Sequence, residues 1–245
     1  MNVKKHIPNL LTLGNLFCGC LAIVTIFAGN LVGAAYLVGI ALIFDFFDGF
    51  AARLLKVSSP IGKDLDSLAD MVTFGVVPGL VMYNLIYVSM YDKLQAELNP
   101  KLEWLPYCAF IIPILSAVRL AKFNNDTRQT SSFIGLPTPA NAMVICSLPL
   151  LKHFSPELYP AFLENPYVLC LVSLILSLLL VAEIPLFALK FKNFVWKGNE
   201  IRYLFLLLSL LMLITLKFVG IPLIIVLYIF LSLLHNSINR KKEKL

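Results

Sequence analysis

The chain has 245 residues, 59% of them hydrophobic and 14% charged, with a formal net charge of +6 and a mean hydropathy of +0.85. Soluble domains are about 45–50% apolar and about 25% charged, so these proportions exclude an ordinary soluble protein and predict repeated membrane spans. The five cysteines sit in apolar runs without CxxC or Cys/His spacing, which gives no basis for a zinc site or a disulfide framework.

The apolar runs predict eight spanning helices in chain order, most of them near the 17–25 residues that a bilayer asks for. They cover 8–28, 32–55, 63–90, 104–124, 137–152, 167–189, 201–218 and 221–238, the fifth being short and proline-marked. The first follows "MNVKK" and has no small-x-small cleavage site, so it reads as a retained helix rather than a leader. It carries Asn9, Thr12 and Asn15 at three-residue spacing, which lines one helical face with polar groups. The breaks hold turn residues: "AGN" after the first helix, "SSPIG" before the third, and "GIP" at 220–222 between the last two. No strand-like alternation, internal repeat or soluble domain is evident, so the expected fold is an all-α polytopic membrane protein.

Charge sets the expected orientation. With both ends in the cytoplasm, all but Lys93, Lys101, Lys152 and Lys217 of the 20 lysines and arginines fall on the cytoplasmic side. The net positive charge then reads as a surface facing anionic lipid, not nucleic acid.

The segment between the second and third helices is "DFFDGFAARLLKVSSPIGKDLDSLAD", residues 45–70. Asp45 and Asp48 are at i and i+3, and Asp66 and Asp70 at i and i+4, so each pair shares a helical face. A short loop makes the two helices antiparallel neighbours, and four carboxylates can converge. Asp64 points elsewhere. Four anions in one dehydrated volume repel unless some are protonated or cations neutralise them. Hard oxygen ligands without His or Cys suit Mg²⁺, Mn²⁺ or Ca²⁺. Two such ions would serve phosphoryl transfer by stabilising attacking and leaving oxygens. Gly49 and Ala52 leave room for a ligand, and the start of the third helix, at Gly62, offers free N–H groups to phosphate. A structural cation site is the plainer alternative. A membrane prenyltransferase would show two separated Asp-rich motifs, where this chain has one. A cation transporter would place acidic residues deep in several helices.

This stretch resembles the signature of the CDP-alcohol phosphotransferase family, D-x2-D-G-x2-A-R-x8-G-x3-D-x3-D, matched here at Asp45, Asp48, Gly49, Ala52, Arg53, Gly62, Asp66 and Asp70. The resemblance implies a six-helix membrane core over residues 1–190, with 191–245 forming a C-terminal transmembrane hairpin and basic tail. It implies a homodimer, two divalent cations held by Asp45, Asp48, Asp66 and Asp70, and Asp70 as general base. CDP-lipid contacts are then expected from Asn9, Thr12, Asp48, Gly49, Ala52, Arg53 and Gly62. Four segments, "IPNLLTLGNLFCG", "GKDLDSLADMVTFGVVP", "AVRLAKFN" and "FIGLPTPANA", resemble the family's bacterial-type phosphatidylserine synthases. Ser67 and Met71 depart from the "LDPxADK" of phosphatidylglycerophosphate synthases, the runner-up reading. The expected substrates are CDP-diacylglycerol and L-serine, and the expected place is the cytoplasmic face of a bacterial inner membrane. Arg119, Lys122 and Asn124 are candidate ligands for serine. Lys122 stands where the family commonly has arginine, which keeps the charge but loses the fork.

Overall fold

The computed structural model describes residues 6–57, 59–94, 102–126, 132–187, 195–196 and 199–242. Helix α1 (His6–Phe27) and helix α2 (Leu31–Leu54) form an antiparallel pair. The turn between them needs Gly29, at φ +79°, and Asn30, whose side chain caps α2 by accepting the Gly33 N–H at 2.7 Å. Ala22, Ala34, Ala35 and Ala41 are buried in the core these two helices share with their neighbours, and small residues let helices approach closely in lipid.

Helix α3 (Pro60–Asp70) starts at a proline suited to a first turn, and Ser59 caps it by accepting the Gly62 N–H at 3.0 Å. It runs without a break into a π-helical turn, Met71–Val76, and then helix α4 (Val77–Leu94). In the widened turn the Val77 N–H bonds to the Val72 carbonyl, one residue further back than in an α-helix. Pro78 follows at once and has no N–H to give, so the ladder is relaxed where it would be broken anyway. A 3₁₀ stretch, Leu105–Phe110, leads into helix α5 (Ile111–Asn125). Helix α6 (Thr138–Phe154) and helix α7 (Pro166–Val181) complete the main bundle.

Two expectations are corrected here. The sixth predicted helix was drawn to residue 189, but α7 ends at Val181 and the chain enters a strand, β2 (Pro185–Phe187). Pro185 cannot donate to a helical ladder, which is a sequence reason for the early stop. β2 pairs antiparallel with β1 (Ser132–Ile134), with Phe133 opposite Leu186. Strands this short leave no readable alternation, so the ribbon was invisible beforehand. The chain then forms helix α8 (Glu200–Leu216), a 3₁₀ turn, and helix α9 (Gly220–Lys242).

Among the described residues, five helical stretches are long and apolar enough to cross a membrane: His6–Phe27, Leu31–Leu54, Pro60–Asp92, Leu105–Asn125 and Glu200–Ser237, the last holding α8 and most of α9. Leu207, Leu210, Leu211 and Ile214 stand exposed on α8, a face suited to lipid rather than water. Of the charges behind the orientation, Lys4, Lys5, Lys101, Arg128, Lys190, Lys192, Lys197 and Lys244 lie outside the described residues.

Candidate functional site

Helices α2 and α3 bring the signature carboxylates to one end of the bundle. A carboxylate oxygen from each of Asp45, Asp48 and Asp66 lies within 4.8 Å of the others. Asp48 is buried, and the Thr12 hydroxyl of α1 donates to its Oδ2 at 2.7 Å. Asp70, one turn further along α3, is held separately: Asn15 Nδ2 donates to its Oδ1 at 3.1 Å. It remains within electrostatic reach of Asp45, Asp66 and Asp48. The set of four read from the spacing is therefore a group of three plus one neighbour with its own anchor. Asp64 is exposed, on the outward side.

Two unit charges about 4 Å apart repel by about 4 kcal/mol at an effective dielectric constant of about 20. The triad is costly unless a proton or a cation neutralises it. Its donor set fits one: three carboxylates in close reach, no soft ligand, and a hydroxyl fixing one carboxylate from behind.

A cleft of about 200 Å³ opens beside the triad, lined by Asn9, Thr12, Asp48, Gly49, Ala52, Gly62, Lys63 and Asp66. Six of the seven residues expected to touch a CDP-lipid line it; Arg53 does not. A Cβ on Gly49 would meet only the Arg53 guanidinium, at 3.5 Å, so Arg53 stands at the rim. A Cβ on Gly62 would lie 3.0 Å from Ser59 Oγ and 3.1 Å from Asn9 Oδ1; the glycine lets α3 abut α1. The expected phosphate seat at the start of α3 is narrower than the sequence suggested. Pro60 has no N–H, and Ser59 takes the one from Gly62.

The three candidate serine ligands separate. Arg119, 4% exposed, and Lys122 line a second cleft of about 370 Å³ with Asn125, Asp126, Ile134 and Glu183. Arg119 Nε donates to the Leu136 carbonyl at 3.4 Å, and its guanidinium sits 5.4 Å from the Phe123 ring centre. Asn124 instead clasps α3. Its Nδ2 donates to Ser67 Oγ at 2.7 Å, and its carbonyl accepts from Lys63 Nζ at 2.6 Å. The clasp helps set a register. Lys63 meets Asn124, a Cβ on Gly75 would be 3.2 Å from Ser116 Cβ, and one on Gly79 would be 2.8 Å from Pro113 Cδ.

Asn15 and Glu183 were not among the candidate site residues. The polar face Asn9–Thr12–Asn15 was the available signal for Asn15. Glu183 is the acidic residue near the end of the sixth predicted helix, and the sequence allows it either to bind serine's ammonium or to pair with a lysine, the pairing being favoured. Asn15 Oδ1, Ser116 Oγ and both amide atoms of Asn141 are buried without a hydrogen-bond partner among the described residues. They sit on α1, α5 and α6, the helices packed around the π-helical turn.

A family model described as CDP-alcohol phosphatidyltransferase matches residues 5–182. The chain is 34% identical over 184 residues to the CDP-diacylglycerol–serine O-phosphatidyltransferase of Bacillus subtilis (strain 168), covering 74% of this chain and 89% of that protein. It is 36% identical over 149 residues to the protein of the same name from Helicobacter pylori (strain J99), covering 60% of this chain and 58% of that one. It is also similar, at 32% over 171 residues, to the archaetidylserine synthase of Methanothermobacter thermautotrophicus, covering 66% of this chain and 67% of that protein.

Proposed function

The chain belongs to the CDP-alcohol phosphatidyltransferase family, and from that premise we propose that it transfers the phosphatidyl group of CDP-diacylglycerol to the hydroxyl of L-serine, releasing CMP. The relatives named for serine support the acceptor. The observation that carries it here is the second cleft, where Arg119 and Lys122 stand with Glu183. Two cations and two anions, Asp126 and Glu183, line it, and both signs suit a zwitterion: the guanidinium fork takes the carboxylate, and Glu183 takes the ammonium.

The division of labour follows from the contacts. Asp45, Asp48, Asp66 and Asp70 would hold two divalent cations, Mg²⁺ or Mn²⁺. Bound there, such ions supply charge neutralisation to the pyrophosphate and the departing CMP. Gly49, Ala52 and Gly62 leave space for the nucleotide beside the triad, with Arg53 at the mouth. Serine's hydroxyl is a weak nucleophile and needs a base in reach. Asn15 occupies one oxygen of Asp70, which leaves Oδ2 to accept the hydroxyl proton. The serine oxygen bonds to the phosphorus bearing diacylglycerol, and the bond from that phosphorus to the CMP oxygen breaks. Eight spans with both ends in the cytoplasm, a core over 1–190 with a hairpin over 191–245, and a homodimer complete the proposal. The lipid donor then stays in the leaflet while serine arrives from the cytoplasm of a bacterial cell.

The test is an acceptor panel with purified protein and CDP-diacylglycerol. CMP release is expected with L-serine and at background with glycerol 3-phosphate; equal turnover with both would refute serine as the acceptor. The Thr12 contact predicts a second result. Thr12→Val is expected to raise the Mg²⁺ or Mn²⁺ concentration for half-maximal rate by about 10–100-fold, while Thr12→Ser stays near wild type. An unchanged metal titration for Thr12→Val would remove the hydroxyl from the site.

A further inference from the structure

The family match ends at residue 182, and nothing so far uses α8 and α9. Three side chains on one face of α9, spaced four residues apart, grip β2. The Tyr228 hydroxyl donates to the Phe187 carbonyl at 2.8 Å. The Phe187 N–H donates to Ser232 Oγ at 3.4 Å, and Asn236 Nδ2 donates to the Pro185 carbonyl at 2.5 Å. The ring of Phe187 packs on Phe205 of α8 and Tyr228 of α9, with centroids 5.8 Å and 5.0 Å away, and all three residues are buried.

β2 does not stand alone. It pairs with β1, and the chain after β1 is pinned to the end of α7: Gly135 N–H bonds the Ile184 carbonyl at 2.9 Å, and Leu136 N–H bonds the Leu179 carbonyl at 2.8 Å. Gly135 has φ +79°, and a Cβ there would lie 2.5 Å from the Leu180 carbonyl oxygen. The corner is therefore tight. Its next carbonyl, Leu136, is the one that receives Arg119 Nε. Ile134, Leu180, Val181 and Glu183 form the wall of the second cleft that faces Arg119 and Lys122.

An isolated two-stranded ribbon is marginal, and its open edge needs partners. Here α9 supplies them. We propose that α9, through Tyr228, Ser232 and Asn236, is a positioning element for the acceptor: it holds the β1–β2 ribbon, and the ribbon sets the Leu136 carbonyl and the Glu183 wall against Arg119. This rests on the reading that the second cleft takes serine.

The experiment compares full-length wild type, Tyr228→Phe, Asn236→Leu, the double variant and Arg119→Gln, with kinetics in serine and in CDP-diacylglycerol measured separately. Tyr228→Phe keeps the ring cluster and removes only the hydroxyl, so it stays informative if the double variant is poorly folded. The expected result is a KM for serine raised about five- to tenfold in the double variant and less in each single one. The KM for CDP-diacylglycerol stays within about twofold, as for the loss of a contact made to only one substrate. Leu207→Ala, on the exposed face of α8, is expected to change neither. If Arg119→Gln raises the serine KM and the α9 variants do not, the positioning role is overturned and the cleft reading stands. An equal rise in both KM values, or a fall in kcat alone, also overturns it. If Arg119→Gln leaves the serine KM unchanged, the cleft reading itself fails and the role of α9 fails with it.

Discussion

Replacing Asp70 by asparagine is expected to slow CMP release by about 10²–10⁴-fold, the range that a positioned general base contributes. The substitution is close to isosteric, and the new amide oxygen can still accept the hydrogen bond from Asn15 Nδ2 that Asp70 Oδ1 accepts at 3.1 Å. Burial and anchoring are therefore kept, while the capacity to take a proton is lost together with one carboxylate of the cation-holding set. Affinity for CDP-diacylglycerol, measured by equilibrium binding in chelator so that the metal role of Asp70 does not enter, should change far less than kcat, because the donor cleft is lined by Asp48 and Asp66 and not by Asp70. A loss below about tenfold would assign the proton to another group. A cation-transport role would leave flux altered but present in this variant.

The second large effect is metal dependence, and it should appear in stability with the opposite sign to activity. Chelation is expected to abolish CMP release, and added Mg²⁺ or Mn²⁺ to restore it. The clustered oxygens of Asp45, Asp48 and Asp66 predict more. In chelator, Asp45→Asn should melt higher than wild type, since removing one charge relieves repulsion of about 4 kcal/mol per close pair at most. With metal at about 100 times its dissociation constant, wild type gains about 2.7 kcal/mol from linkage. The variant should gain much less and remain nearly inactive. Melting curves with and without metal test the crossing. Parallel shifts in both proteins would mean that these three residues do not hold the ion.

The convergence of Asp45, Asp48 and Asp66, with Asp70 nearby, was legible because helical spacing alone puts each pair on one face; the family signature supplies the roles proposed for them. Asn9, Thr12 and Asn15 were legible as a polar face but not as partners. Which carboxylate each would meet depends on the rotation of α1 against α2 and α3. Asn124 shows the opposite outcome. Its neighbours in sequence, Arg119 and Lys122, made it a candidate for the acceptor, yet its amide nitrogen is committed to Ser67 across the helix pair. The β1–β2 ribbon was illegible because three-residue strands carry no periodicity, and the side chains of α9 that bond to β2 lie more than 40 residues away in sequence.

Local rules that act within a few residues were available to the sequence alone. They are the apolar runs that require lipid, the i, i+3 and i, i+4 carboxylate pairs, the proline and glycine breaks, and the family signature. The tertiary structure decided everything that depends on how separate helices meet. It held Asp70 apart from the Asp45–Asp48–Asp66 group, put Thr12 behind Asp48, gathered Arg119, Lys122 and Glu183 around one cleft, and tied α9 to β2 through Phe187 and Pro185. The physical reason is common to all four. A side chain's own helix fixes its direction only up to a rotation about the helix axis, and packing against neighbouring helices sets that rotation.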